Sequence, residues 1–143
     1  RRLLDRIPPA LLYRLLGGIG LDYGPSFQTV TGAAAGDGEA LGTAAGTPGT
    51  TLLDGAVQLV AVAAGLGRDA QTGSAPFVPV AARAVRRWRD PGASAEVHVE
   101  VRPDGGDLEA RLLLVLRGHV RRILLDPRVR VVSRCHGSAP TCA

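Results

Sequence analysis

Methionine, lysine and asparagine are missing outright from this 143-residue chain, and all 17 basic residues are arginine. Together with the excess of alanine, glycine and valine, this fits the codon bias of a GC-rich genome. The net charge of +4 therefore carries little weight as a nucleic-acid footprint. Aromatics are 3% of residues, which leaves almost nothing to stack on bases, so no nucleic-acid partner is expected. With no methionine, residue 1 is not expected to be a native start. Only two cysteines occur, Cys135 and Cys142. They make no disulfide framework, and with only His136 nearby they make no zinc site. Residues 134–143 read as an irregular tail with two unpaired thiols, and no metal is expected.

Long hydrophobic runs are scarce as well. The longest, Leu52 to Leu66, carries Asp54 and Gln58 and is too short to span a bilayer. No basic-then-apolar segment with a cleavage site opens the chain. A cytoplasmic protein with no membrane partner is expected. What is present is a hydrophobic fraction of 45% with 21% charged residues, which suits one folded domain and not a disordered chain.

Pro8 and Pro9 open a short amphipathic helix over Ala10 to Leu16, because proline is tolerated in a first helical turn. Gly17, Gly18 and Gly20 stop it, and residues 1–7 read as irregular. Tyr23 to Phe27 is a turn. It leads into a strand over Gln28 to Ala34, a Gly36-Asp37-Gly38 hairpin, and a returning strand over Glu39 to Ala45. Leu52 to Leu66 is the longest helical candidate. It is apolar nearly all round, the mark of a helix buried within a domain, and Gly65 and Gly67 end it. Arg68 to Ser74 reads as loop.

Strands follow over Phe77 to Trp88, Glu96 to Arg102, Leu108 to Leu116, Gly118 to Leu125 and Val129 to Ser133. In the second of these, Val97, Val99 and Val101 share one face, and Glu96, His98, Glu100 and Arg102 the other. One apolar helix among antiparallel strands needs cover on most sides. A curved antiparallel sheet wrapped around it supplies that cover, giving an α+β hotdog fold over residues 1–133.

Asp54 stands at the head of the most hydrophobic helix, with Gln58 four residues on and on the same face. Two roles suit it. As a helix N-cap its carboxylate would accept backbone N–H bonds, and spacing alone favours this role. Alternatively, desolvation would hold the carboxyl protonated, so that it serves as a general acid. His98 lies on the polar face of an alternating strand and reads as a solvated surface histidine. His119 has no partner in sequence. Arg86, Arg87 and Arg89 beside Trp88 form a basic cluster, either a solvated strand end or a surface for an acidic protein.

The segment from Tyr13 to Phe27 resembles the polyketide synthase dehydratase family, with Tyr13, Leu16, Gly20, Leu21, Tyr23, Gly24, Pro25 and Phe27 in register. Leu52-Leu53-Asp54 and Gln58 match the family's His-Pro-Ala-Leu-Leu-Asp-x-x-x-Gln/His motif, and Pro76-Phe77 its Pro-Phe. The similarity covers roughly residues 8–120. It implies the C-terminal half of a double hotdog, in which Asp54 is the general acid and Gln58 helps hold it and the substrate hydroxyl. Tyr23, Gly24, Pro25 and Phe27 would bind substrate. The implied reaction is loss of water from a 3-hydroxyacyl group. No cofactor is implied, because the substrate rides on the phosphopantetheine arm of an acyl carrier protein.

The family's catalytic His-x-x-x-Gly-x-x-x-x-Pro motif belongs to the N-terminal hotdog half and is absent here. The chain alone is thus an incomplete enzyme. It is expected to be a segment of a larger synthase or a fragmentary gene product. Its expected partners are the N-terminal half, an acyl carrier protein and a second copy in a homodimeric synthase. Gly49-Thr50-Thr51 replaces the family's His-Pro-Ala, which keeps a second expectation open: a catalytically silent scaffold or carrier-protein docking module.

Overall fold

Alternation along the valine strand sets the inner face of the sheet. In the computed structural model, which describes residues 4–47, 50–66, 77–82, 92–104, 107–116 and 128–133, Val97 and Val99 are fully buried and Glu96 and Arg102 are exposed. The elements in chain order are β1 (Asp5–Ile7), α1 (Pro9–Gly18), a 3-10 turn (Pro25–Phe27), β2 (Val30–Ala35), β3 (Glu39–Ala45), α2 (Thr50–Ala63), β4 (Phe77–Ala82), β5 (Ser94–Asp104), β6 (Asp107–Leu116) and β7 (Arg128–Ser133). The strands form one sheet in the order β1-β2-β3-β5-β6-β7-β4, and every pairing is antiparallel. The long helix α2 packs on β2, β3, β5 and β6 of that sheet. This is the expected α+β hotdog architecture.

The helix lies close because the strands beneath it carry small residues. Ala33 and Ala35 of β2 and Ala40 and Ala44 of β3 are buried against it. Gly42 sits directly under Leu59, where an added Cβ would collide with the leucine side chain and with the Gly32 carbonyl. Gly55 of α2 comes equally close to Thr29. Leu52, Leu59 and Val62 of α2 complete the core with Leu12 and Leu16 of α1.

The ends of both helices follow from single glycines. In α1, Gly20 adopts φ 88°, Leu21 N–H bonds the Leu16 carbonyl at 2.9 Å, and Gly20 N–H bonds Gly17 at 3.0 Å. This is a Schellman closure. Of the three glycines expected to stop this helix, Gly17 and Gly18 lie inside it, and Gly20 alone ends it. In α2, Gly65 at φ 104° repeats the device, with Leu66 N–H on the Ala61 carbonyl.

Three expectations change. Residues 5–7 are a strand and not irregular, because Asp5, Arg6 and Ile7 pair with Ala35, Ala34 and Ala33 at the open edge of β2. Helix α2 begins at Thr50, which places Asp54 one turn inside it, so Asp54 is not its N-cap. Nor do the described residues cover α2 all round. One sheet covers one side of a helix, and Leu53 on the opposite side remains 47% exposed. The candidate strand at Gly118 to Leu125, the loop at Arg68 to Ser74, the Arg86–Arg89 cluster and the tail with Cys135 and Cys142 lie outside the described residues.

The close approach of α2 to β3 sets an expectation for stability. Leu59→Ala should cost about 2–5 kcal/mol, as a cavity-forming change. Gly42→Ala should cost about 1–3 kcal/mol by overpacking. Both should be read as lower midpoints in urea unfolding. A Gly42→Ala protein as stable as the wild type would mean that the helix does not sit so near the strand.

Candidate active site

Gln58 is a polar side chain buried to 2% exposure inside the most apolar helix, so all of its hydrogen-bonding groups need partners. It finds them on three elements. Its Nε2 donates to Asp54 Oδ2 at 2.7 Å, one helical turn away on α2. The same nitrogen donates to the Phe27 carbonyl at 2.8 Å. Its Oε1 accepts from the Tyr13 hydroxyl of α1 at 2.8 Å. The Tyr13 oxygen in turn accepts from the Val30 N–H at 3.0 Å. Val30 lies beyond the end of β1, so its amide is left for a side chain to satisfy.

The loop from Tyr23 to Phe27 is delivered by the Schellman turn at Gly20. Within it, Phe27 N–H bonds the Gly24 carbonyl at 2.9 Å, and Gln28 Nε2 donates to the Tyr23 carbonyl at 2.9 Å. The Tyr23 ring meets the Tyr13 ring edge-on, with centroids 6.2 Å apart. Among the expected site residues, Tyr23, Phe27, Asp54 and Gln58 are thus brought together. Gly24 and Pro25 contribute backbone carbonyls to the loop and are exposed. Phe27 acts on Gln58 through its carbonyl, while the residue as a whole stays 45% exposed.

Burial pushes the Tyr13 phenol above its ordinary value of 10.0, the Val30 N–H pulls the other way, and the nearby Asp54 charge adds to the rise. Tyr23 is raised as well, first by burial, then by Asp54 and Tyr13. Both phenols therefore sense the Asp54 carboxyl group. Tyr13 joins the site beyond the residues expected from the motifs. The available signal was its place on α1 between the buried Leu12 and Leu16.

His98 is not a free surface histidine. Its Nε2 pairs with Glu39 Oε1 at 2.7 Å across β3 and β5. It lines an open groove of about 720 Å³ on the outer face of the sheet, with Arg6, Leu41 and Thr43. Asp54, Gln58, Tyr13 and Tyr23 are not part of that groove. Among the described residues no cluster of three His, Cys, Asp or Glu side chains could hold a metal ion, and no helix is long and apolar enough to cross a membrane.

A family model described as "Polyketide synthase dehydratase N-terminal domain" matches residues 1–115. The chain belongs to the polyketide synthase dehydratase family. Solved structures of such domains share its fold. The dehydratase domain of PpsC from Mycobacterium tuberculosis, in complex with C12:1-CoA, gives a TM-score of 0.70 at 22% identity, covering 93% of this chain and 53% of that one. RzxB from Pseudomonas fluorescens gives 0.68 at 18%, covering 91% and 48%. The dehydratase domain from the CurK module of the curacin polyketide synthase gives 0.65 at 22%, covering 90% and 46%. The chain spans about half the length of these family members. None of the curated proteins matches it significantly.

The raised phenols of this family member set a pH dependence. Tyr13 and Tyr23 are the only two tyrosines, so phenolate absorbance reports them alone. Both should ionise above pH 10.0 in the folded chain. Asp54→Asn should lower both midpoints, because the carboxylate charge helps raise them. The unfolded chain ionises first, so stability is full below pH 10 and declines as pH rises from there through the folded-state ionisation. Phenols that titrate at the same pH before and after denaturation would contradict this arrangement.

Proposed function

We propose that the chain is the Asp-bearing, C-terminal hotdog half of a polyketide synthase dehydratase. It would supply the acid in the loss of water from a 3-hydroxyacyl thioester on an acyl carrier protein. The observation that carries this reading is the bonded set Tyr13–Gln58–Asp54, placed beside a loop of the Tyr-Gly-Pro-x-Phe type whose Phe27 carbonyl it bonds. In the reaction the C2–H bond breaks and its proton passes to a base. The C3–O bond breaks as the hydroxyl takes a proton from Asp54 and leaves as water, and a C2–C3 double bond forms. Asp54 on α2 would donate that proton, Gln58 would hold the carboxyl in place, and the Tyr23–Phe27 loop would line the substrate.

The family model's description names an N-terminal domain, whereas three features favour the other half. The Leu-Leu-Asp-x-x-x-Gln set at Asp54 and Gln58 is present. None of His98, His119 and His136 is followed by glycine at the fourth position after it. In CurK, inactive variants carry a histidine replaced by phenylalanine and, well downstream, an aspartate replaced by asparagine. This division of labour fits an Asp-bearing piece that needs a His-bearing one. The CoA thioester bound by PpsC supports an acyl thioester substrate. On this reading residues 1–133 form the hotdog half. The exposed Leu53 and Phe27 would meet the N-terminal half, within a homodimeric cytoplasmic synthase and with no resident cofactor.

Gly49-Thr50-Thr51, where the family has His-Pro-Ala, favours a second reading, a silent scaffold. The start of α2 is nonetheless held: the Thr51 hydroxyl donates to the Thr47 carbonyl at 2.6 Å, and Thr29 Oγ1 donates to the Thr51 carbonyl at 3.2 Å.

The test uses this chain joined to a His-bearing dehydratase half. The joined domain should dehydrate a 3-hydroxyacyl thioester, Asp54→Asn should lower turnover by about 10²–10⁴-fold, and the lone chain should be inactive. Full activity in Asp54→Asn would remove Asp54 from the acid role. An inert wild-type domain would select the scaffold.

A further inference from the structure

We infer that Tyr13 is a positioning residue that fixes which way round the Gln58 amide faces Asp54, and so which carboxyl oxygen is left for chemistry. An amide has two N–H donors on one side and an acceptor oxygen on the other, and it can in principle turn over. Here three contacts decide its direction. Both Nε2 hydrogens have acceptors, Asp54 Oδ2 and the Phe27 carbonyl, neither of which can be a donor in the ionised state of Asp54. Oε1 meets the Tyr13 hydroxyl. The hydroxyl is itself committed, because its oxygen accepts from Val30 N–H and its hydrogen is thereby turned towards Gln58. A reversed amide would set its oxygen against the Phe27 carbonyl and leave Tyr13 without its acceptor.

The chain of donors therefore runs in one direction, from the Val30 amide through Tyr13 and Gln58 to Asp54. Its last link keeps Oδ2 an acceptor. Among the described residues Oδ1 has no such bond, and Oδ1 is the oxygen that carries and delivers a proton. Asp54 and Gln58 share one helix and keep their spacing without help. Tyr13 comes from α1 and makes the orientation depend on how α1 is docked. The catalytic consequence rests on the acid reading of Asp54, whereas the orientation itself does not.

The first experiment needs no activity. In the full chain labelled with ¹³C and ¹⁵N, the Gln58 Nε2 hydrogens should be slowly exchanging and well separated. Tyr13→Phe should speed their exchange about tenfold, the scale of one lost hydrogen bond, with the backbone amides of Leu59 and Val97 still protected. Unchanged exchange and shifts at Gln58 in a folded Tyr13→Phe chain would overturn the proposal. Should that variant not fold, the wild type decides. Ionising Tyr13 removes its donor hydrogen, so Gln58 Cδ must move together with Tyr13 Cζ as pH rises, and a Gln58 Cδ that stays flat overturns the proposal.

The second experiment uses the joined domain. Tyr13→Phe should lower kcat about tenfold with KM nearly unchanged, and it should add little to Gln58→Leu, because both break one chain of bonds. Additive losses would overturn the proposal. If Asp54→Asn retains full activity, the acid reading fails while the amide-exchange result still decides the role of Tyr13.

Discussion

The buried amide of Gln58 is the constraint around which this half of the molecule is arranged. An amide inside an apolar helix is costly unless each of its groups is bonded. The cost is met by reaching out of the helix to three separate pieces of chain: α1 through Tyr13, the loop through the Phe27 carbonyl, and α2 itself through Asp54. One polar group thus ties together elements that apolar packing alone would leave free to slide. The same bonds gather a carboxyl group and two phenols at one place, so the demand for satisfied hydrogen bonds and the chemistry of the site share a single cause.

Those bonds can form only because the backbone of α2 lies close to the sheet. Gly42 beneath Leu59 and Gly55 beside Thr29 leave no room for a side chain at either position. Thr29 then reaches the Thr51 carbonyl at the start of α2. Small residues on β2 and β3 are therefore as much a part of the site as the polar ones, since larger ones would lift α2 away from Phe27 and Tyr13. Dispersion and hydrophobic burial set this distance, and the hydrogen bonds then select one arrangement at it.

Much of the fold could be read from the residues. The alternation of Val97 and Val99 marks the buried face of β5, Gly36-Asp37-Gly38 marks the hairpin, and the pattern from Leu52 onward marks the central helix. The short strand β1 could not be read, because three residues carry no period and their strand character comes from pairing with β2. Helix α2 also begins two residues before its apolar pattern, at Thr50. That shift matters physically: one turn inside a helix, Asp54 cannot cap the first N–H groups and is free to face Gln58 and the tyrosines. His98 looked solvated because its partner, Glu39, sits on another strand and is brought near only by the register of β3 with β5.

The sequence by itself determined the periods, the turns, the helix stops and the i,i+4 pairing of Asp54 with Gln58, because each of these depends on neighbours within a few residues along the chain. Only the tertiary structure decided that Tyr13, 45 residues from Gln58, supplies the hydrogen that orients its amide. It also decided that Leu53 of α2 is left exposed among the described residues. A hydrogen bond between elements depends on the distance and angle at which they cross. Those are set by the summed packing of the whole core, which no local pattern encodes.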